Sequence, residues 1–333
     1  MDKLKKIGLS ALAGSLVAFS ANAGELSVSG SAEFTYTDND GSAASGNEIT
    51  GNPWGAQQLV VFTGSGDVGF GELTVVRAIA DAGGSNPTSY STLDMGSLGT
   101  LSFDSNGYGG VGYAANDDVL PTAYEEIWTS TSGSGVVGAG SNNTLGYANS
   151  FGPLSLSVGY QKNGADSNQS ESTASGAGVT GSTTDMYVSA AVPGIDGLTV
   201  GFGHAEKTQN TASTLDADTT STGVNINYSA GPVAVGYRMS ELNDGTADTG
   251  SQEIDAWSVA FNVNENMAIS YGKQDRERQA VADTVAVTEE VTGINASYTV
   301  GAASIRILNS KAKNSLFTAN ENEHTEIGVV LSF

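Results

Sequence analysis

Read in steps of two, the chain separates into segments whose large apolar residues fall on one side and whose small or polar residues fall on the other. In the first, Leu26, Val28, Gly30, Ala32, Phe34 and Tyr36 alternate with Ser27, Ser29, Ser31, Glu33 and Thr35. In the last, Thr325, Ile327, Val329, Leu331 and Phe333 alternate with His324, Glu326, Gly328, Val330 and Ser332. A period of two is that of a β-strand with unlike faces. The pattern recurs and predicts sixteen strands, beginning near residues 25, 56, 70, 90, 99, 142, 154, 185, 197, 222, 233, 253, 266, 290, 302 and 323. The second to fourth are the least sharply drawn, since Gln57 to Gly64 and Gly71 to Ala80 are almost continuously apolar.

Connections alternate in length. Phe151-Gly152-Pro153 and Ser229-Ala230-Gly231-Pro232 read as tight turns, whereas Asn163 to Thr184, Thr208 to Ser221, Leu242 to Ser251 and Asp275 to Glu290 are long and polar. Short turns at one end and long loops at the other are the habit of an outer-membrane β-barrel, for which an even strand number is expected. A barrel of this size has a lumen too wide for side chains to fill, so water occupies it. The polar face then points inward and the apolar face meets lipid or a neighbouring subunit. Periodicity alone leaves open a soluble secreted sandwich or a Gly/Ser-rich surface solenoid. The chain end favours the barrel: a last strand closing on Phe333, with apolar residues two, four and six positions earlier, resembles the terminal signal by which barrel proteins are recognised for insertion.

The opening residues add an export route. Lys3, Lys5 and Lys6 precede an apolar stretch from Ile7 to Phe19 and then Ala21-Asn22-Ala23, the layout of a signal peptide with an A-x-A cleavage site. The stretch is too short to span a membrane as a helix, and no later run is long and unbroken enough. The expected organisation is therefore a signal peptide over 1–23 and one transmembrane β-barrel over 24–333. There is no cysteine, so no disulfide framework holds the fold. Removing Asp2 and the three lysines leaves 10 basic and 35 acidic residues, a formal charge of −25. That excess makes nucleic acid and an anionic membrane surface poor partners. A hydrophobic fraction of 39% with 12 Tyr, 10 Phe and 3 Trp argues against disorder.

Over its whole mature length the sequence resembles the Gram-negative general porin family. Glu25-Leu26-Ser27-Val28-Ser29-Gly30, the terminal strand Ile327 to Phe333 and Gly96-Ser97-Leu98-Gly99-Thr100-Leu101-Ser102-Phe103 carry the likeness. The last is similar to the family's Gly-x-Phe-Gly-Thr-Val-x-Leu turn, with Leu98 in place of the aromatic and Asp104-Ser105 where many members have Gly-Arg. The resemblance implies a homotrimer of 16-stranded barrels whose third loop folds into the lumen. It also implies an outer-membrane address, contact with lipid and the barrel assembly machinery, and passage of small hydrophilic solutes. Residues 106–141 supply the candidate constriction loop; connections this long are functional or disordered.

Between Arg77 and Lys162 there is no Lys or Arg, while the loop carries Asp117, Asp118, Glu125 and Glu126 beside Tyr108, Tyr113, Tyr124 and Trp128. Carboxylates lining a narrow passage favour cations; on an exposed loop they are merely solvated. Lys207, Arg238, Arg276 and Arg306 share the parity of small and polar residues and are assigned to the pore wall, where they would set a transverse field against the acidic loop. Arg77 has the parity of Leu73, Val75 and Ile79, the supposed outer face, and its direction stays open between a subunit contact and the rim. Phe333 is the candidate assembly signal.

Catalysis finds little footing. His204 and His324 are the only histidines, and His204 has lipid-face parity. The tract Gly133 to Gly140 lacks the Lys and Ser/Thr of a phosphate loop and reads as flexible loop. Asp38-Asn39-Asp40-Gly41 offers oxygens for calcium, with Asp38 and Asp40 as weak ligands, but lacks the late Glu of an EF-hand loop. No cofactor is expected beyond nonspecific calcium. The leading expectation is a passive, cation-preferring pore; a substrate-specific channel and a secreted adhesive β-protein are the competing readings.

Overall fold

Every predicted strand is present in the computed structural model, which describes residues 24–41, 51–80, 88–106, 111–113, 118–129, 131–133, 135–136, 138, 143–162, 179–211, 218–243, 251–279 and 286–333. The strands are β1 (Glu25–Gly41), β2 (Trp54–Asp67), β3 (Glu72–Ala80), β4 (Thr88–Asp94), β5 (Thr100–Asn106), β6 (Thr144–Phe151), β7 (Leu154–Lys162) and β8 (Val179–Ala191). They continue as β9 (Leu198–Thr211), β10 (Thr219–Ala230), β11 (Val233–Asn243), β12 (Gln252–Asn264), β13 (Met267–Arg278), β14 (Val287–Val300), β15 (Ala303–Lys313) and β16 (Glu321–Ser332). Each pairs antiparallel with its sequence neighbours, and β16 pairs with β1 to close the barrel. Closure leaves no edge strand, which is what lipid demands of a sheet. The predicted signal peptide lies outside the described residues.

Burial is inverted relative to a water-soluble sheet. On β11 Val233, Val235, Tyr237 and Met239 are exposed, while Gly236, Arg238 and Ser240 are buried. On β12 Trp257, Val259 and Phe261 are exposed and Ile254, Ala256 and Ser258 buried. In water each exposed apolar side chain would cost roughly 25 cal/mol per Å² of surface; against acyl chains that cost vanishes. Aromatic residues gather near the short turns, at Phe151, Tyr228, Phe261 and Tyr298, as an interfacial girdle requires.

Toward the long loops the strands outrun the predicted limits. β8 begins at Val179 rather than near 185, β9 runs to Thr211, β13 to Arg278, and β14 starts at Val287. Above the lipid band an outward residue need not be apolar, so the alternation fades while the hydrogen-bond ladder continues. Charged pairs occupy the outer face there: Lys273 with Asp275 (3.0 Å) and Glu290 (2.9 Å), Lys313 with Glu290 (3.0 Å), and Lys311 with Glu321 (3.2 Å).

The weak calcium candidates Asp38 and Asp40 lie in the last residues of a strand rather than in a turn. β1 continues through Gly41, so successive side chains point to opposite faces and the Asn39 oxygen is turned away from those of Asp38 and Asp40. Asn39 faces the lumen and bonds the His324 ring, whereas Asp38 and Asp40 have outward parity. Among the described residues no group of three or more acids or histidines fits a metal ion.

Candidate pore constriction

The described part of the long connection between β5 and β6 folds into the barrel, and the reason lies in glycines spaced along the inner wall. An ideal Cβ on Gly203 would sit 2.0 Å from the Tyr113 ring, and one on Gly223 would sit 1.9 Å from its hydroxyl. Pro121 and Leu120 come within 2.5 and 3.0 Å of the same point on Gly236, and Ile127 within 2.8 Å on Gly293. Gly146 receives Val111 at 2.6 Å. A glycine inside a strand commonly marks such a close approach. Tyr113, Leu120, Ile127 and Trp128 are thereby buried inside a water-filled barrel.

The loop's polar backbone must also find partners, and short polar side chains of the wall provide them. The amides of Gly112 and Ala123 donate to the hydroxyls of Ser157 (2.7 Å) and Ser270 (2.9 Å). The carbonyls of Val119, Pro121, Glu125 and Gly133 accept from Asn227 (2.8 Å), Ser258 (2.6 Å), Asn295 (2.8 Å) and Gln274 (3.0 Å). The described loop is thus fastened along β7 to β14, and Gly133 is held to the wall where the sequence suggested a flexible tract.

The charged residues separate into three groups. Asp117 lies outside the described residues, and Asp118 is exposed. Glu125 is half-buried, while Glu126 beside it is only 7% exposed. Lys207, Arg238, Arg276 and Arg306 all have lumen-facing register. Arg238 and Arg276, however, are covered, which departs from the expected open basic wall. Arg238 is 1% exposed, its guanidinium 4.9 Å from the Trp128 ring of the loop and bonded to Gln274 at 3.2 Å. Arg276 is paired with Glu289 at 2.7 Å and stacks on Phe317 at 4.6 Å. Arg306 stays beside the passage, 5.1 Å over the Tyr124 ring.

Two acidic residues not singled out from the sequence join Glu125. Tyr124 at the loop tip donates its hydroxyl to Glu326 of β16 at 2.9 Å, and Glu326 lies 3.8 Å from the His324 ring. Burial, followed by the nearby charge of Glu326, raises the Glu125 carboxyl above the ordinary glutamate range; Glu33 of β1 adds to this, while Thr129 and Arg306 oppose it. Burial, then the charge and hydrogen bond of Glu326, and then Glu125 and Glu33 push the Tyr124 phenol up. Glu33 and Glu326 have inward parity in the two strands best drawn by the alternation, so the signal was present. His204, by contrast, is on the outer face, 2.8 Å from the Thr222 hydroxyl, and shares no site with His324.

Across from the loop the wall is free of cations. Arg77 is the one Lys or Arg in β1 to β5, and it stands opposite Phe62 and Ser89 on the outward, exposed face. Nearer the short turns a hollow of about 580 Å³ is lined by neutral groups, among them Ser97, Thr100, Ser150, Ser157 and Tyr187. Glu33, Glu125, Glu326 and Arg306 gather where the loop tip meets β16 and β1.

Comparison with known proteins agrees with this architecture. Residues 8–333 match the Gram-negative porin family. No curated protein matches the chain by sequence. Among solved structures, a loop-deletion mutant of OmpT, an outer-membrane protein of Vibrio cholerae, is 15% identical, with 94% of this chain and 100% of that one covered and a TM-score of 0.65. Salmonella typhi OmpF in complex with daunomycin is 12% identical, covers 93% and 98%, and has a TM-score of 0.64. An anion-selective porin from Comamonas acidovorans is also 12% identical, covers 93% and 99%, and has a TM-score of 0.63. A closed sixteen-strand barrel with a loop packed in its lumen, matched by the family over nearly all its length, places the chain among the Gram-negative porins, channel-forming β-barrels of the outer membrane.

Proposed function

We propose that the chain, exported by residues 1–23, forms a passive pore for small hydrophilic solutes that conducts cations in preference to anions. The observation carrying this reading is the set Glu33, Glu125 and Glu326 around the loop tip, faced among the described residues by Arg306 and by the His324 ring, while Arg238 and Arg276 are covered. Fixed charge of one sign in a narrow passage raises the local counter-ion concentration. In a planar bilayer under a salt gradient, the reversal potential should have the sign of potassium over chloride. The preference should shrink as the screening length falls from about 30 Å at 0.01 M to about 3 Å at 1 M. Glu33→Gln, Glu125→Gln and Glu326→Gln together should move the reversal potential toward zero at similar conductance. Because the Glu125 carboxyl is raised, its charge is lost at a higher pH than that of an ordinary glutamate, and selectivity should begin to decline before ordinary glutamates titrate. A reversal potential indifferent to the triple change would refute the assignment.

The working form is a homotrimer. Arg77 supports this, because an arginine facing lipid near the bilayer midplane costs about 2–4 kcal/mol. Gln58, Ser89 and Ser91 share its outward face on β2 and β4. A second copy seated there removes the conflict. Arg77→Leu should loosen the trimer in mild detergent, seen as monomer on a cold gel. An unchanged trimer with a more heat-stable barrel would mean that Arg77 faces lipid.

A further inference from the structure

The turn between β15 and β16 is bent against its own preferences. Asn314, Leu316 and Phe317 have φ of 52°, 53° and 59°, values that L side chains rarely adopt and that persist where the surroundings over-determine them. Those surroundings converge on Glu289 of β14, which is 0% exposed. One carboxylate oxygen accepts the backbone amide of Leu316 at 2.7 Å. The other accepts the hydroxyl of Ser132, on the returning limb of the constriction loop, at 2.5 Å, and pairs with Arg276 at 2.7 Å. Arg276 and Arg278 both lie over the Phe317 ring, at 4.6 and 4.8 Å. Ser315 donates its hydroxyl to the carbonyl of Thr131 at 3.2 Å. The Leu316 side chain meanwhile stands in solvent.

One buried carboxylate therefore joins three segments: the outer turn, the barrel wall and the pore loop. A buried ion pair is expensive to assemble and costly to break by halves, so the junction holds its members together or releases them together. We propose that Glu289 is a positioning residue for the pore, through which the turn at residues 314–320 clamps the returning limb of the constriction loop and so controls the width of the passage. Glu289 itself does not touch the solute path; it acts through Ser132.

The test uses the full-length trimer in planar bilayers, with heat-modifiable gel mobility as the check of folding. Phe317→Ala unseats the turn without altering any group at the loop tip. Ser132→Ala removes the loop's bond and leaves the Glu289–Arg276 pair in place. Both should show several-fold greater open-channel noise and additional conductance levels. Glu321→Gln, which removes an outward ion pair beside the same turn, should remain quiet. Should Phe317→Ala fail to fold, Ser132→Ala decides alone. A single, quiet, wild-type conductance level from folded Ser132→Ala would overturn the proposal, as would folded Phe317→Ala that melts earlier but conducts normally.

Discussion

Replacing Gly203 with valine is expected to raise single-channel conductance and the size limit for solutes, although the substitution adds bulk to the inner wall. The new side chain occupies the socket of Tyr113, which is 2% exposed and packs with Tyr187 and Ala205. All three atoms nearest the added Cβ belong to the Tyr113 side chain, so the tyrosine gives way rather than the strand. Losing a buried aromatic costs about 3–5 kcal/mol, enough to free the first limb of the loop from the wall. The barrel should survive, because valine suits a strand and the backbone pairing of Gly203 with Tyr187 and Gly223 is untouched. Filling both sockets, with Gly223→Val added, should widen the passage further. Gly64→Ala, which meets nothing within 4 Å, serves as the control and should conduct as wild type. A folded Gly203→Val trimer with unchanged or lower conductance would show that the loop does not depend on this socket.

Loss of Phe333 is expected to cut the amount of protein in the outer membrane sharply while the barrel that does form stays closed. Phe333 is 79% exposed, and its ring lies against Gly30, so it contributes little to packing beyond that contact. Its backbone contributes more than the alternation alone suggested: its amide donates to the Gly30 carbonyl at 2.9 Å and its carbonyl accepts from the Gly30 amide at 3.0 Å. Deletion removes both bonds, about 0.5–1.5 kcal/mol each, from a ladder that still runs from Ser31 with Ser332 to Gly41 with Asn322. Phe333→Ala keeps both bonds and removes only the ring, and thus separates recognition from closure. Fractionation should show Phe333→Ala nearly as depleted from the outer membrane as the deletion, while both refold in detergent. Wild-type membrane levels of Phe333→Ala would refute the assembly role.

The family, the sixteen strands and the direction of the inner arginines were legible in the sequence because a lipid-facing strand permits only one pattern. Its outer residues must be apolar, its inner residues meet water, and a period of two registers the difference residue by residue. The same rule explains where legibility stopped. β2 and β3 carry apolar residues on both faces, Leu59 and Val61 inward beside Val60 and Phe62 outward, and their edges blurred. β8 and β13 extend beyond the lipid, where outward polar residues erase the pattern.

What only the tertiary structure decided is which inward charges reach the water. Parity places Arg238 and Arg306 on the same face, yet one is roofed by Trp128 and the other stands at the passage. The difference arises from the fit of Tyr113, Leu120 and Ile127 onto Gly203, Gly236 and Gly293, contacts between residues about 90 to 170 positions apart that no local period encodes. The acidic character of the loop was readable residue by residue, but its meeting with Glu33 and Glu326 required the closure of β16 onto β1, which brings the two ends of the chain to one point of the wall. Alternation determines the side of the sheet a residue faces; long-range packing determines whether that side is solvent, protein or the narrowest part of the pore.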